Sequence, residues 1–214
     1  MKVKMTRFQK WRFDIKKNSF SICLALGFFL IAAFFTYLAG NYADNFQGAG
    51  ISDLILDNIP ALQLSLLFVV SIFFLMAVLI IYPLFFKVDY LAFVIAQMAL
   101  LVLIRSFSMI LTHMPVPEGA IFVDFPSMIN LWNFDNDLFF SGHVAIPFLG
   151  YLLFKKSKIR YFFLLGTALM VALVLLTHRH YSIDVFAAFF ITYGSYRFFN
   201  WIFIKNKMKL PRIT

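Results

Sequence analysis

Six apolar runs dominate the chain, and each is about 17–25 residues long, the length a transmembrane helix needs. They lie at roughly 18–40, 61–85, 88–111, 137–154, 161–177 and 181–203. The runs are continuously apolar. They lack the polar alternation that a barrel strand turns toward its lumen, so helices are expected rather than strands. Of the 214 residues, 62% are hydrophobic, 14% are charged and 30 are Phe. A soluble domain runs nearer 45–50% apolar and about 25% charged, and a soluble core of this size could not cover so much apolar surface. Soluble globular, disordered, collagenous and disulfide-scaffold classes are excluded. The expected fold class is all-α: a polytopic membrane protein with six transmembrane helices. The first run exceeds the 7–15 residues of a signal h-region, so it is read as a true span. Cys23 is the one cysteine, so no intramolecular disulfide forms.

The formal net charge of +9 raises the question of nucleic acid. The placement of the cations answers it. Residues 1–17 hold Lys2, Lys4, Arg7, Lys10, Arg12, Lys16 and Lys17, and the 155–160 loop reads KKSKIR. The tail holds Lys205, Lys207, Lys209 and Arg212. The 41–60 loop has no Lys or Arg and carries Asp44, Asp53 and Asp57; the 112–136 loop likewise carries only Glu118, Asp124 and Asp135. By the positive-inside rule both termini are expected in the cytoplasm, with loops 41–60, 112–136 and 178–181 on the other side. The expected organisation is a basic cytoplasmic segment over 1–17, a six-helix catalytic domain over 18–203 and a basic cytoplasmic tail over 204–214. The cations code topology and suit anionic inner-leaflet lipid. They form no single stripe interleaved with exposed aromatics, so no nucleic-acid partner is expected.

Ionisable residues inside membrane spans are costly and default to functional sites. Arg105 falls in the third run, His143 in the fourth, and Asp184 in the sixth, just after His178 and His180. Counted at 1.5 Å per residue, Arg105 and His143 lie roughly 10 Å and 9 Å from the outer ends of their runs. His180 and Asp184 lie at the same level. The His180/Asp184 spacing of four puts both on one helix face. A carboxylate there can accept from one imidazole nitrogen and leave the other as a nucleophile or base. Arg105 can clamp phosphate oxygens, His143 can serve as the second acid/base, and a helix N-terminus favours an anion. The chemistry these residues can assemble is phosphoryl transfer through a histidine nucleophile at lipid head-group depth. Three alternatives use the same residues: interhelical hydrogen bonding by the histidines, outward snorkelling by Arg105, and a zinc site. An arginine in the same layer repels a cation, so no metal is expected. His113 and Arg179 read as interface residues.

The segments RSFSMILTHMPVP (105–117), DLFFSGH (137–143) and HYSIDVFAAFFIT (180–192) resemble the sphingomyelin synthase family, part of the lipid phosphatase and phosphotransferase superfamily of type 2 phosphatidic acid phosphatases. SDLILDNIP (52–60) matches weakly, and the resemblance covers about half the chain. It implies a catalytic triad of His143, His180 and Asp184. It also implies substrate contacts by Arg105, Asp137, Ser141, Gly142 and Tyr181, and an active site on the exoplasmic face. The phosphatase branch is disfavoured. Arg105 is followed by Ser106 rather than Pro, Phe140 replaces the Pro before SGH, and Leu173 and Val174 stand where that branch has Ser-Arg. Arg179 departs from the acidic residue usual in the synthase family. The expected function is transfer of a phosphocholine- or phosphoethanolamine-type group from a glycerophospholipid to a lipid hydroxyl such as ceramide, with diacylglycerol released and no cofactor. The alternatives are a lipid phosphatase or phospholipase C-type hydrolase, and a non-catalytic transporter or scaffold. A homo-oligomer is compatible with the sequence.

Overall fold

The computed structural model describes residues 5–45, 48, 50–121 and 138–205, with side chains described as far as residue 202. Asp137 and most of the 204–214 tail lie outside them. The described residues form six α-helices and no strand: α1 (Arg7–Asp44), α2 (Ser65–Phe86), α3 (Val88–Leu111), α4 (Gly142–Leu153), α5 (Ile159–Leu176) and α6 (Ser182–Lys205). A single 3₁₀ turn, Leu56–Asn58, interrupts the first long loop.

Two ends of the bundle can be distinguished. At one, Trp11 donates to the Leu84 carbonyl, Asn18 to Asp89, and Tyr82 and Ser157 share a hydrogen bond. This end carries Lys87, Lys155, Lys156 and Lys158, and is called the basic end. At the other, the long loops meet the α5–α6 turn: Leu62 N donates to Leu176 O, Ile121 N to Thr177 O, and Ile51 N to the Tyr181 hydroxyl. This is the site end.

Helix α1 lies parallel to α3. Asn18 meets Asp89, Ala25 packs with Leu91 and Ile95, Thr36 bonds Ser106, and Ala39 packs on Met109. The buried residues of α1 are all small, with Ala25, Ala32 and Ala39 spaced seven apart. Small residues let helix backbones approach closely where lipid supplies no hydrophobic drive. Gly166 works the same way on α5, where an added Cβ would collide with Leu75 of α2. The main core joins Phe68, Ile72, Leu75 and Leu79 of α2 to Val94 and Leu101 of α3, Val144 and Leu149 of α4, Phe163 and Met170 of α5, and Val185 and Ala188 of α6. The outer faces are apolar too. Phe20 is 80% exposed, Leu66 79%, Leu111 81% and Leu165 72%. A face of that kind is stable against hydrocarbon, not water.

Four helices, α1, α2, α3 and α5, are long and apolar enough to cross a bilayer. The expected fourth and sixth spans differ from this. Helix α4 has 12 residues, about 18 Å, short of the roughly 30 Å of hydrocarbon. It is short because Leu138–Ser141 is not helical. Helix α6 has length to spare, but Asp184, Tyr193, Ser195, Tyr196 and Arg197 dilute its apolar character. Helix α1 begins eleven residues earlier than its apolar run, at Arg7. Thr6 and Gln9 close a capping box there, and Lys and Arg are good helix formers. The basic segment is therefore helical and continuous with the first span.

Candidate active site

The site lies where α3, α4 and the α5–α6 turn converge. Helix α5 ends in a Schellman motif: His178 N donates to Leu175 O and Arg179 N to Val174 O. The left-handed residue of that motif is usually Gly. Here it is His178, with φ 51°. Its buried ring holds the second loop by a 3.3 Å contact between Nδ1 and the Glu118 carbonyl. The tight turn brings His180 into the bundle directly after α5, ahead of the first residue of α6.

His180 is buried and its partners settle its tautomer. Nδ1 lies 2.9 Å from the Leu138 carbonyl oxygen, which can only accept, so Nδ1 carries the proton. Nε2 is left with its lone pair and stands 3.4 Å from Nδ1 of His143. His143 is the second residue of α4, not six residues into a helix as the sequence count placed it. It packs against the Phe68 ring of α2 at 4.7 Å between centroids.

Asp184 departs from the simple pairing expected of it. His180 precedes α6, so the two residues do not share a regular helix face. Asp184 Oδ2 is 3.6 Å from His180 Nδ1, and that oxygen accepts a 3.0 Å hydrogen bond from Tyr181 N. Asp184 thus caps the start of α6 while setting a fully buried carboxylate beside the imidazole. The Asp184 backbone carbonyl accepts from Ser141 N at 3.3 Å, which ties α6 to the start of α4.

The irregular Leu138–Ser141 segment has a purpose in this geometry. In a helix its carbonyls would bond to N–H groups four residues on. Unwound, Leu138 O accepts from His180, and Phe140 O accepts from Arg105 Nε at 3.1 Å. The Arg105 side chain lies against Gly142: a Cβ on that residue would sit 2.9 Å from Nε. A larger residue there would push the arginine from its present place at the start of α4. The placement is electrostatically costly on its own, since a cation faces the positive end of a helix dipole. An anion between them satisfies both. Ser141, at the N-cap, makes no side-chain capping bond, and its buried hydroxyl has no hydrogen-bond partner among the described residues. The first N–H groups of α4, the Ser141 hydroxyl and Arg105 together form a cradle of donors beside two histidines.

Tyr181 is buried, and its hydroxyl is committed: it donates to Pro115 O at 3.0 Å and accepts from Ile51 N at 3.1 Å. It joins the two long loops over the site. Burial pushes its phenol above the ordinary tyrosine range, only partly countered by the Ile51 N–H. Asp53 escaped the sequence reading. Its Oδ1 accepts from Ile55 N and Leu56 N, and its Oδ2 accepts from Ser182 N at 2.7 Å. It therefore caps α6 from a loop 129 residues away. Burial would raise its carboxyl, but the N–H groups of Ser182, Leu56 and Ile55 outweigh that and hold it below the ordinary range. Among the described residues, no three His, Cys, Asp or Glu side chains stand together as a metal site.

His143, His180, Asp184, Arg105, Ser141 and Gly142 are brought together, and Tyr181 roofs them. Residues 136–202 match the family described as PAP2 superfamily C-terminal. That match spans α4, α5, nearly all of α6 and both histidines, and it supports the type 2 phosphatidic acid phosphatase superfamily. Enzymes of that superfamily are lipid phosphatases and phosphotransferases, so an integral membrane enzyme acting on lipid phosphate is the supported class. No curated protein matches the chain.

Proposed function

We propose that the protein is a membrane lipid head-group phosphotransferase working through a phosphohistidine-type intermediate on His180. The observation that carries this reading is the Leu138 carbonyl, which fixes the Nδ1 proton and leaves the Nε2 lone pair facing His143. A glycerophospholipid donor sets its phosphate against Arg105 and the start of α4. Nε2 attacks phosphorus as the bond to the diacylglycerol oxygen breaks, and His143 gives that oxygen a proton. Asp184 offsets the positive charge that grows on His180. A lipid hydroxyl such as ceramide's then loses its proton to His143 and attacks phosphorus; the N–P bond breaks and Nε2 recovers its lone pair. Arg105 and the helix N-terminus neutralise charge through both halves, which is most of what phosphoryl transfer asks of a protein.

The positive-inside argument supports six spans with both termini in the cytoplasm and the site on the exoplasmic face. Hydrolysis is the second reading, favoured by the superfamily match, since water in place of the lipid hydroxyl needs no change in residues. The test is purified protein with phosphatidylcholine or phosphatidylethanolamine, with and without ceramide, products read by mass spectrometry. Transfer predicts a ceramide-linked head group and diacylglycerol in equal amounts. Release of the phosphorylated head group into water regardless of ceramide makes the protein a hydrolase. Unchanged lipid on every donor contradicts both.

A further inference from the structure

The basic end holds a second cleft that the transfer chemistry does not use. It is about 800 Å³, lies between the first turns of α1 and the α2–α3 turn, and is lined by Arg7, Phe8, Lys10, Trp11, Phe85 and Phe86, with Asp14 one turn on from Lys10. Helix α1 has 38 residues, about 57 Å. Its apolar run needs only about 30 Å of hydrocarbon, so residues 7–17 extend into the head-group layer. Trp11 is fixed there. Its Nε1 donates to Leu84 O at 2.9 Å, and its ring stacks between Phe8 and Phe85. Arg7 lies over the Phe86 ring, and Arg12 over Phe8. Residues 7–17 carry five cations against one carboxylate. The first turn of α1 has no acidic residue, so Arg7 and Lys10 add to the positive end of the helix dipole instead of offsetting it.

We propose that this groove binds one anionic glycerophospholipid, with its phosphate between Arg7 and Lys10 and an acyl chain along Phe8, Trp11, Phe85 and Phe86. The charge selects an anion, and Asp14 keeps it at the outer turn. The aromatic wall, stacked and half-open, matches a hydrocarbon chain and has no use for a free phosphate ion. The site is distinct from the histidine site, which lies at the opposite end of the bundle.

The test uses the full chain in detergent and native mass spectrometry with phosphatidylglycerol or phosphatidylcholine. Wild type should retain phosphatidylglycerol over phosphatidylcholine. An R7Q/K10Q variant should lose that preference by about 25-fold at low salt, since each cation near an anionic lipid surface is worth a factor of about 5. Both side chains are exposed, so the variant should melt with wild type. K156Q/K158Q removes the same charge elsewhere on the basic end and should leave retention intact. Equal losses in the two double variants would replace the groove with a diffuse field and overturn the proposal. So would displacement of phosphatidylglycerol by millimolar inorganic phosphate, or equal retention of both lipids by wild type.

Discussion

The two ends of the bundle hold charge in opposite ways. At the basic end the cations lie on aromatic faces, the exposed Lys155 over Tyr196 and Arg7 over Phe86, and the half-buried Arg160 over Tyr151 and Tyr161. Lys17 and Asp89 approach to 3.9 Å with side chains 61% and 65% exposed. That pair is solvated and replaceable. At the site end His180, Asp184 and Asp53 are buried, Arg105 and His143 half-buried, and the groups interlock. His180 is held by Leu138, Asp184 by Tyr181 N, Ser182 N by Asp53, and Arg105 by Phe140. Those bonds draw on both long loops, the unwound segment before α4 and the α5–α6 turn. Water screens most of the charge at one end, while at the other the backbone supplies most of the hydrogen-bond partners.

The sharpest separation of the two ends is Asp184→Asn. Asparagine can still accept from Tyr181 N, so α6 should start in place and the melting temperature should hold. The rate should fall by about 10²–10⁴-fold, because the carboxylate charge beside His180 is gone. A rate within threefold of wild type would leave Asp184 a helix cap and nothing more. Gly142→Ala is next: its methyl would displace Arg105 from the start of α4, and turnover should drop about tenfold or more with circular dichroism unchanged, since an oxyanion-type contact contributes on that scale. Full activity would mean that Arg105 works from elsewhere.

Asp53→Asn probes the capping of α6 across the fold. Asparagine has one acceptor oxygen where the carboxylate has two, so either Ser182 N or the Ile55 and Leu56 N–H groups lose their partner, at a cost of about 1 kcal/mol read as a lower melting temperature. The pH dependence has a definite sign. The folded carboxyl titrates below its ordinary value, so its contribution is complete above about pH 4 and is lost as pH falls through the lowered value. Wild type and variant should therefore converge in acid and differ from pH 5 to 8; a constant gap at all pH values would show that the charge is not what matters. The smallest effect belongs to the basic end. Lys17→Gln removes an exposed pair of the kind whose contribution centres near zero, so neither melting nor turnover should move measurably.

What was legible in the sequence follows the same division. Helices α2, α3 and α5 lie close to their apolar runs, because an uninterrupted run has one low-energy form in lipid. The convergence of Arg105, His143 and His180 was legible because charge inside a span is expensive. The carbonyls of Leu138 and Phe140 were not, since any residue type supplies one, and using them costs the first turn of the expected fourth span. Asp53 was not legible either: nothing local links it to Ser182. Asp184 was read as an orienting carboxylate alone. Its second task, capping α6, depends on the helix starting at Ser182 rather than at Tyr181.

The most direct measurement is a search for the covalent adduct. Wild type, a His180→Ala variant and a His143→Ala variant are mixed for a single turnover with a nitrophenyl phosphodiester of the head group, then read by intact mass and peptide mapping. This donor's leaving group needs no proton. Wild type should show a transient head-group phosphoryl adduct on His180, and His180→Ala should show neither adduct nor turnover. His143→Ala should form the adduct and hold it when ceramide or water is supplied. Turnover by wild type without an adduct, activity surviving in His180→Ala, or decay at the wild-type rate in His143→Ala would contradict the two-histidine mechanism.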